Sequence, residues 1–499
     1  MLKSLLVHVS NYTTASVLVT LASVISFPIL TRLLSVEEYG VMNLVATALA
    51  LLVGIGKLGL QHSALRYYSE VRAGKHAAGL GQYEATVAFG MVASALVVAV
   101  FWAVVSQWVP ERVWNDPRVA PLFLLTAGLI VVRAFDSALI NQLRAQERSR
   151  AITIYSVARR YAVLILTIGA LLLVAGDLWG FYGATVLAET VATVWLAAWM
   201  WRRGRPSLKD FDPRLYRNML VFGLPMIGYE LSSVILAMGD RYVIQNLLGP
   251  EPLGHYAAAY NLCDYVRAVF LASFSAAVVP MYLRIWEEQG REATLELLHR
   301  FLHLYIMVAM LVIAGLSATG GELIGLLASP KYREGAEVIP YVIAGMAFDG
   351  LVMVAGAGLY IEKRSKAGMG LVAVCAVLNI ALNFLLIPML GLIGAGVATV
   401  ASYAALLLLA LRMGHERLPV RLPVVAFLKF GAIGLAMYAA LMHIEFEHEL
   451  LTLAARIAAG AVLYPAMVLL ADKAARQWAS QGWSRLTRGH AGAIRAELP

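Results

Sequence analysis

Long apolar runs alternate with short polar connections along the whole chain. Runs of about 20 residues match the thickness of a bilayer crossed by a helix. They predict fourteen spans, at 8–31, 39–60, 84–108, 119–141, 152–175, 178–201, 219–245, 254–283, 297–327, 338–361, 367–390, 392–411, 424–442 and 450–471. The runs lack the residue-by-residue alternation of a barrel strand. Only helices and closed barrels satisfy the backbone in lipid, so the predicted fold class is an all-α polytopic membrane protein.

One basic stretch divides the pattern. Arg202, Arg203, Arg205, Lys209, Arg214 and Arg217 fall within sixteen residues, opposed only by Asp210 and Asp212. A positive stretch between spans reads as a cytoplasmic loop. The alternate loops are poor in cations and hold Arg32, Arg112, Arg118, Lys331 and Arg333. This asymmetry predicts that both termini are cytoplasmic.

The stretch also separates two copies of one unit. Leu33-Leu34 with Gly40 returns as Leu247-Leu248 with Gly254, offset by 214 residues. Gly180 with Ala184-Thr185-Val186 returns at the same offset as Gly394 with Ala398-Thr399-Val400. Ala134-Phe135-Asp136 returns as Ala347-Phe348-Asp349, and Arg148-Ser149-Arg150-Ala151 returns as Arg364-Ser365-Lys366-Ala367. The expected organisation is a six-helix lobe over 1–205, a second over 206–415, an additional hairpin over 416–471 and a basic cytoplasmic tail over 472–499. Six spans per copy is an even number, so the copies share one orientation, related by an axis along the membrane normal.

Composition agrees with this class and removes others. The 499 residues are 60% hydrophobic and only 14% charged, with a mean hydropathy of +0.73; soluble chains carry roughly 25% charge. The net charge of +9 sits in short loops, which argues for topology signals and headgroup contact rather than nucleic acid. Cys263 and Cys375 stand alone in apolar segments and read as packing residues. The run His443–Glu449 reads as a solvated loop rather than a metal site. The N-terminal apolar stretch after Lys3 reads as a first span, not a removed signal.

Candidate chemistry comes from polar residues at membrane depth. Thr13, Ser16, Thr20 and Ser23 share one face of the first span, and Tyr256, Tyr260, Asp264 and Arg267 share one face of the eighth. Asp264 lies roughly 15 Å into its span at 1.5 Å per residue, near mid-bilayer. Glu189, Glu230 and Asp349 are similarly deep; Arg133 and Arg267 sit somewhat beyond the middle towards the cytoplasm, Arg159 and Arg160 about two turns inside the cytoplasmic edge, and Lys57 near that edge. Each such charge costs at least about 2.5 kcal/mol to insert. Two readings follow. Lys57, Arg133, Arg159, Arg160, Tyr256, Tyr260 and Arg267 line a cavity for an anionic substrate, with Asp136, Glu189, Glu230, Asp264 and Asp349 as coupling or gating carboxylates. Alternatively, Arg133 with Asp136 and Asp264 with Arg267, each spaced i, i+3, simply neutralise one another, and Lys57 snorkels to the interface. Asp240, Arg241 and Arg32 read as anchors or loop-fixing contacts near the outer surface. Pro28, Pro225 and Pro388 mark kinks or bending points.

Three segments resemble a known family. Phe27-Pro-Ile-Leu-Thr-Arg-Leu-Leu-Ser-Val-Glu-Glu-Tyr-Gly40 is similar to the first-span signature of polysaccharide and lipid-linked oligosaccharide flippases. Gly223-Leu-Pro225 with Asp240-Arg-Tyr-Val-Ile resembles their seventh span. Asn379-Ile-Ala-Leu-Asn383 through Pro388, Gly391 and Gly394 resembles the eleventh and twelfth. The resemblance covers about residues 1–415 and implies the multidrug/oligosaccharidyl-lipid/polysaccharide exporter superfamily. It implies two lobes, alternating access, a bacterial inner-membrane location and a polyprenyl-pyrophosphate-linked glycan as substrate, with polysaccharide-assembly proteins as partners. It implies no enzyme activity and no cofactor beyond coupling to H+ or Na+. The related multidrug/cation antiporters are the nearest alternative. A membrane polymerase or ligase is disfavoured because no sizeable outer loop exists to carry catalytic groups.

Overall fold

The computed structural model describes residues 2–203, 206–362, 364–415, 418–478 and 480. Most of the expected tail, 481–499, lies outside the described residues, as does Arg205 of the basic stretch. Among the described residues the chain is helical throughout, with no strand. The first half contains α1 (Leu2–Leu33), α2 (Val36–Gly56), α3 (Leu60–Arg72), α4 (Leu80–Trp108), the single turn α5 (Glu111–Trp114), α6 (Val119–Ala145), α7 (Ser149–Leu173) and α8 (Leu178–Met200). The second contains α9 (Pro213–Met238), α10 (Asp240–Leu248), α11 (Pro250–Phe270), α12 (Ala272–Leu327), α13 (Ile339–Ala355), α14 (Ala357–Ile361), α15 (Ser365–Leu390) and α16 (Leu392–Gly414). Then follow α17 (Val424–Met442) and α18 (Glu449–Ala471).

Polar residues in the short connections start these helices. Ser35 and Glu38 form a reciprocal capping box on α2, and Asp177 accepts from two backbone N–H groups of α8. Asp212 caps α9 with Pro213 in its first turn. Each satisfies backbone donors that the first helical turn leaves without partners.

Thirteen helical stretches among the described residues are long and apolar enough to cross a membrane. The expected eighth span is the exception. Its first helix, α11, is 21 residues long but carries Glu251, Asp264 and Arg267, which lowers its hydropathy. Other boundaries move for identifiable reasons. The second span turns sharply at Leu58 and Gly59, both in the left-handed region (φ 47° and 73°), and continues as the amphipathic α3. The seventh divides at Gly239 into α9 and α10. The eighth and ninth run together as α12, broken at Gly290 with φ 81°.

Within the first half α4 packs on α6, α7 on α8, and α1 on α7; in the second, α13 and α15 pack on α16, and α15 on α9. The last two helices pack on α12 and each other. The halves meet where α2 crosses α11 and where α2 and α3 lie against α9. The first crossing is reciprocal. A Cβ on Gly40 would lie 2.1 Å from the Pro250 carbonyl oxygen, and one on Gly254 would lie 2.1 Å from that of Val36. Val36 and Gly40 correspond to Pro250 and Gly254 at the 214-residue offset. The repeat axis therefore passes through this crossing, and only glycine permits so close an approach.

Candidate functional site

Four intramembrane charges of the first half form one network. Arg133 on α6 reaches Glu189 on α8 with both arms of its guanidinium, at 2.8 and 2.9 Å. Arg159 on α7 bonds Asp136 on α6 at 2.5 Å and Glu189 at 3.1 Å. The Tyr155 hydroxyl donates to the other oxygen of Asp136. The expected i, i+3 pair of Arg133 with Asp136 does not form. Neighbouring helices offer each residue a better partner, and a two-pronged guanidinium–carboxylate bond exceeds what one helix face provides. Two cations and two anions make the network neutral.

Two further cations lie beside it without a carboxylate. Arg160, adjacent in sequence to Arg159, donates to the Ser23 hydroxyl at 2.8 Å, and its Nε is buried with no partner. The Ser23 carbonyl accepts from Tyr265 on α11 at 3.2 Å, so Arg160 touches the junction of the halves through one residue of α1. Lys57 sits at the end of α2, half-buried, where Glu230 and Asp136 act on it electrostatically. Among the described residues no carboxylate lies within ion-pairing distance of it. Glu230 on α9 is engaged by Gln61 at 2.7 Å and by His62 at 3.3 Å. It bridges the halves.

The second half is arranged differently. Asp264 and Arg267 do pair along α11, at 2.6 Å. Their side chains are 43% and 33% exposed, so the pair borders open space. Asp349, the repeat counterpart of Asp136, feels Arg267 electrostatically. Tyr256 is fully buried, with its hydroxyl on Asp240 at 2.5 Å. Tyr260 is 8% exposed, bonded to the Ala237 carbonyl and stacked under the Arg241 guanidinium at 4.6 Å. Neither tyrosine borders open space here, because α10 folds back over them. Asp240 and Arg241, at the start of α10, are buried as well, 1% and 3% exposed.

Sequence reasoning missed one constellation. Asp240 Oδ1, Asn379 Nδ2, Asn383 Oδ1 and Thr399 Oγ1 are all buried without a hydrogen-bond partner. They belong to α10, α15 and α16, which pack on one another. Asn383 donates to the Asn379 side chain at 3.0 Å. Partnerless buried polar atoms are uncommon in proteins. Two asparagines one helical turn apart in an apolar run were the available signal.

Both ends of the interface between halves are closed. At the Gly40 end, Arg32 donates to the Leu326 and Leu327 carbonyls at 2.7 and 2.9 Å, Thr31 to Ala328 at 2.8 Å and Lys331 to Leu34 at 2.6 Å. Arg32 is thus a loop-fixing contact between halves. At the Gly59 end, a Cβ on Gly59 would lie 2.2 Å from the Gly223 carbonyl oxygen, and Ser63 donates to Met219 at 3.0 Å. Between the ends lies an apolar cavity of about 430 Å³, lined by Leu51, Trp114, Ile235, Tyr242, Ile380 and Phe384 among others.

This helical architecture is that of known exporters. A lipid II flippase MurJ in an inward closed conformation superposes with a TM-score of 0.72 at 13% identity, covering 92% of this chain and 98% of that one. An inward-facing MATE family multidrug transporter gives 0.67 at 14% identity, covering 80% and 94%. The fold shared with these structures is that of a polytopic helical membrane protein. The family described as polysaccharide biosynthesis protein matches residues 5–286, and the chain belongs to it. Among curated relatives, the succinoglycan biosynthesis transport protein ExoT of Rhizobium meliloti is 22% identical over 275 residues, 54% of this chain and 52% of that protein. The uncharacterized membrane protein MJ1068 of Methanocaldococcus jannaschii is 28% identical over 200 residues, 39% and 38% of the two chains. The matches thus span about half or less of those relatives' length.

Proposed function

We propose that the chain is a flippase that carries a polyprenyl-pyrophosphate-linked oligosaccharide from the cytoplasmic to the outer leaflet of a bacterial inner membrane. The observation that carries this reading is the pair Lys57 and Arg160. They are the cations beside the neutral network of Arg133, Glu189, Arg159 and Asp136 that have no carboxylate within ion-pairing distance among the described residues, and both lie at the junction of the halves. A pyrophosphate is the costly part of such a lipid to move through hydrocarbon, and unpaired cations offset that cost. The family and the name of the Rhizobium relative support transport in polysaccharide biosynthesis. Transport, not catalysis, is the activity, with both termini and the Gly59 end on the cytoplasmic side by the charge asymmetry of the loops. The halves 1–205 and 206–415 rock about the α2–α11 crossing, opening one end at a time.

A proton or sodium ion drives the cycle in this reading. Its site in this reading is the Asp240 carboxyl, whose Oδ1 is buried without a partner and which can take up a proton. The test is flipping of a fluorescent lipid-linked oligosaccharide in proteoliposomes under imposed sodium or pH gradients. Lys57→Ala and Arg160→Met are expected to slow flipping about tenfold or more, a loss of at least one charge-assisted contact. Asp240→Asn is expected to remove the gradient dependence. Wild-type flipping in both cation variants would sink the reading.

A further inference from the structure

The hairpin of α17 and α18 has no counterpart in the first copy of the repeat, and it covers one face of α12. Tyr464 on α18 donates to the Met307 carbonyl at 2.6 Å. Gly434 on α17 comes so near that a Cβ would lie 3.3 Å from the Met310 carbonyl oxygen. The third span of the first copy, α4, shows the uncovered alternative: Val97, Phe101 and Trp108 stand exposed. On α12, Ala309, Ala314 and Ala318 are buried. Covering an apolar face needs no charge, and charge is costly in hydrocarbon.

Two ion pairs nonetheless bind the hairpin to the Gly40 end of the second half. Arg456 on α18, 6% exposed, reaches Glu322 on α12 at 2.6 Å. The same guanidinium donates to the Ala318 carbonyl at 2.8 Å and to the Ile444 carbonyl at 3.0 Å. Glu449, in the first turn of α18, pairs with Arg333 of the segment Pro330–Val338. Both α12 and that segment carry the closure of this end. Glu322 lies four residues, about 6 Å of helix, before Leu326, and Arg333 lies two residues past Lys331. The carbonyls of Leu326, Leu327 and Ala328 end the helix without donors of their own, and Arg32 and Thr31 of the first half supply them. Lys331 returns a bond to Leu34. At the opposite end Asp472 lies 3.2 Å from His303 of α12, so the hairpin is fastened along this helix.

We propose that the hairpin is a strap that holds the end of α12 and the segment Pro330–Val338 as one block, and thereby sets how readily the Gly40 end opens. Thr31, Arg32 and Leu34 of the first half close onto that block, and its acceptors stay in register because Glu322 and Arg333 are held from behind. The inference goes beyond the flippase reading and needs only that the halves part at this end.

The test is labelling of the full chain in detergent by a hydrophilic maleimide, with Cys263→Ala and Cys375→Ala as background. Leu34→Cys reports on the Gly40 end and Met219→Cys on the Gly59 end; both positions are fully buried. Glu322→Gln with Glu449→Gln cuts both pairs. It is expected to speed labelling at Leu34→Cys about fivefold or more, the lower range of coupling between sites, and to leave Met219→Cys unchanged. Arg333→Glu alters only the more exposed pair, so it tests the strap even where loss of Glu322 prevents folding. It is expected to raise Leu34→Cys labelling, and adding Glu449→Arg to bring it back. Unchanged labelling at Leu34→Cys in the folded variants would overturn the strap and leave the hairpin as a cover for α12. So would an equal rise at Met219→Cys, which is general loosening, or failure of the charge swap to restore the wild-type rate.

Discussion

Arg159 and Arg160 are neighbours in sequence and opposites in circumstance. Successive helical residues point about 100° apart, so Arg159 faces α6 and α8 while Arg160 faces α1. The first is held by two carboxylates; the second has a serine hydroxyl. This difference predicts different consequences of the same change. Arg159→Met leaves Asp136 and Glu189 short of a partner in a low-dielectric interior, a loss of roughly 3 kcal/mol. It should lower the thermal unfolding temperature and the yield of folded protein. Arg160→Met keeps the apolar stem and frees no carboxylate, so unfolding should stay near wild type while flipping falls. Thermal denaturation in detergent, run beside the flipping assay, separates the two. Equal destabilisation would remove the distinction between structural and functional arginines drawn here.

Among elements, backbone contact between helices carries as much meaning as side chains. The Gly40–Pro250 and Gly254–Val36 approaches close one end of the interface, and Gly59–Gly223 closes the other. A methyl group has no room at any of them. Gly40→Ala with Gly254→Ala should therefore push the Gly40 end apart, and Gly59→Ala with Gly223→Ala the opposite end. Accessibility of introduced cysteines to a membrane-impermeant maleimide should rise at the altered end alone; a rise at both ends, or neither, would count against glycine-set closure. The C-terminal hairpin has its own electrostatic clasp. Asp472, just past α18, accepts from Lys429 and from the Ala475 N–H, each at 2.8 Å. Burial pushes its carboxyl up, but Lys429, the Ala475 N–H and His303 outweigh that and hold it down at about 2. A depressed carboxylate stabilises the fold above its unfolded value of about 3.9 and stops doing so as pH falls towards the folded one. Unfolding temperature should thus decline between about pH 4 and about pH 2, and Asp472→Asn should flatten that decline.

At the scale of the molecule, the halves are joined at both ends with polar groups between them, an occluded arrangement. Glu230 with Gln61 and His62 is the side-chain bond of the Gly59 end. A Gln61→Cys, Glu230→Cys pair bridged by a reducible bifunctional thiol cross-linker should stop flipping, and reductant should restore it. Transport that persists after complete cross-linking would mean that this end need not open. Much of this architecture was legible beforehand. Apolar runs locate helices because lipid leaves the backbone no other solution, and the repeat showed that Gly40 and Gly254 are equivalent. Which of Arg133, Arg159, Arg160, Arg267 and Lys57 keeps a free charge was not legible, because a charge is cancelled by a neighbour on another helix. Tyr256 was misplaced for a related reason: hydropathy gives depth along a span, not which helix folds over it.

The sequence by itself determined the helices, their number to within one, and the internal repeat. These depend on local composition and spacing, which lipid enforces one segment at a time. Only the tertiary structure decided which charges neutralise one another, which polar atoms lack partners and where the halves touch. Those depend mostly on contacts between different helices, 23 residues apart for Arg159 with Asp136 and 297 for Thr31 with Ala328, and on rotations about each helix axis that no single segment specifies.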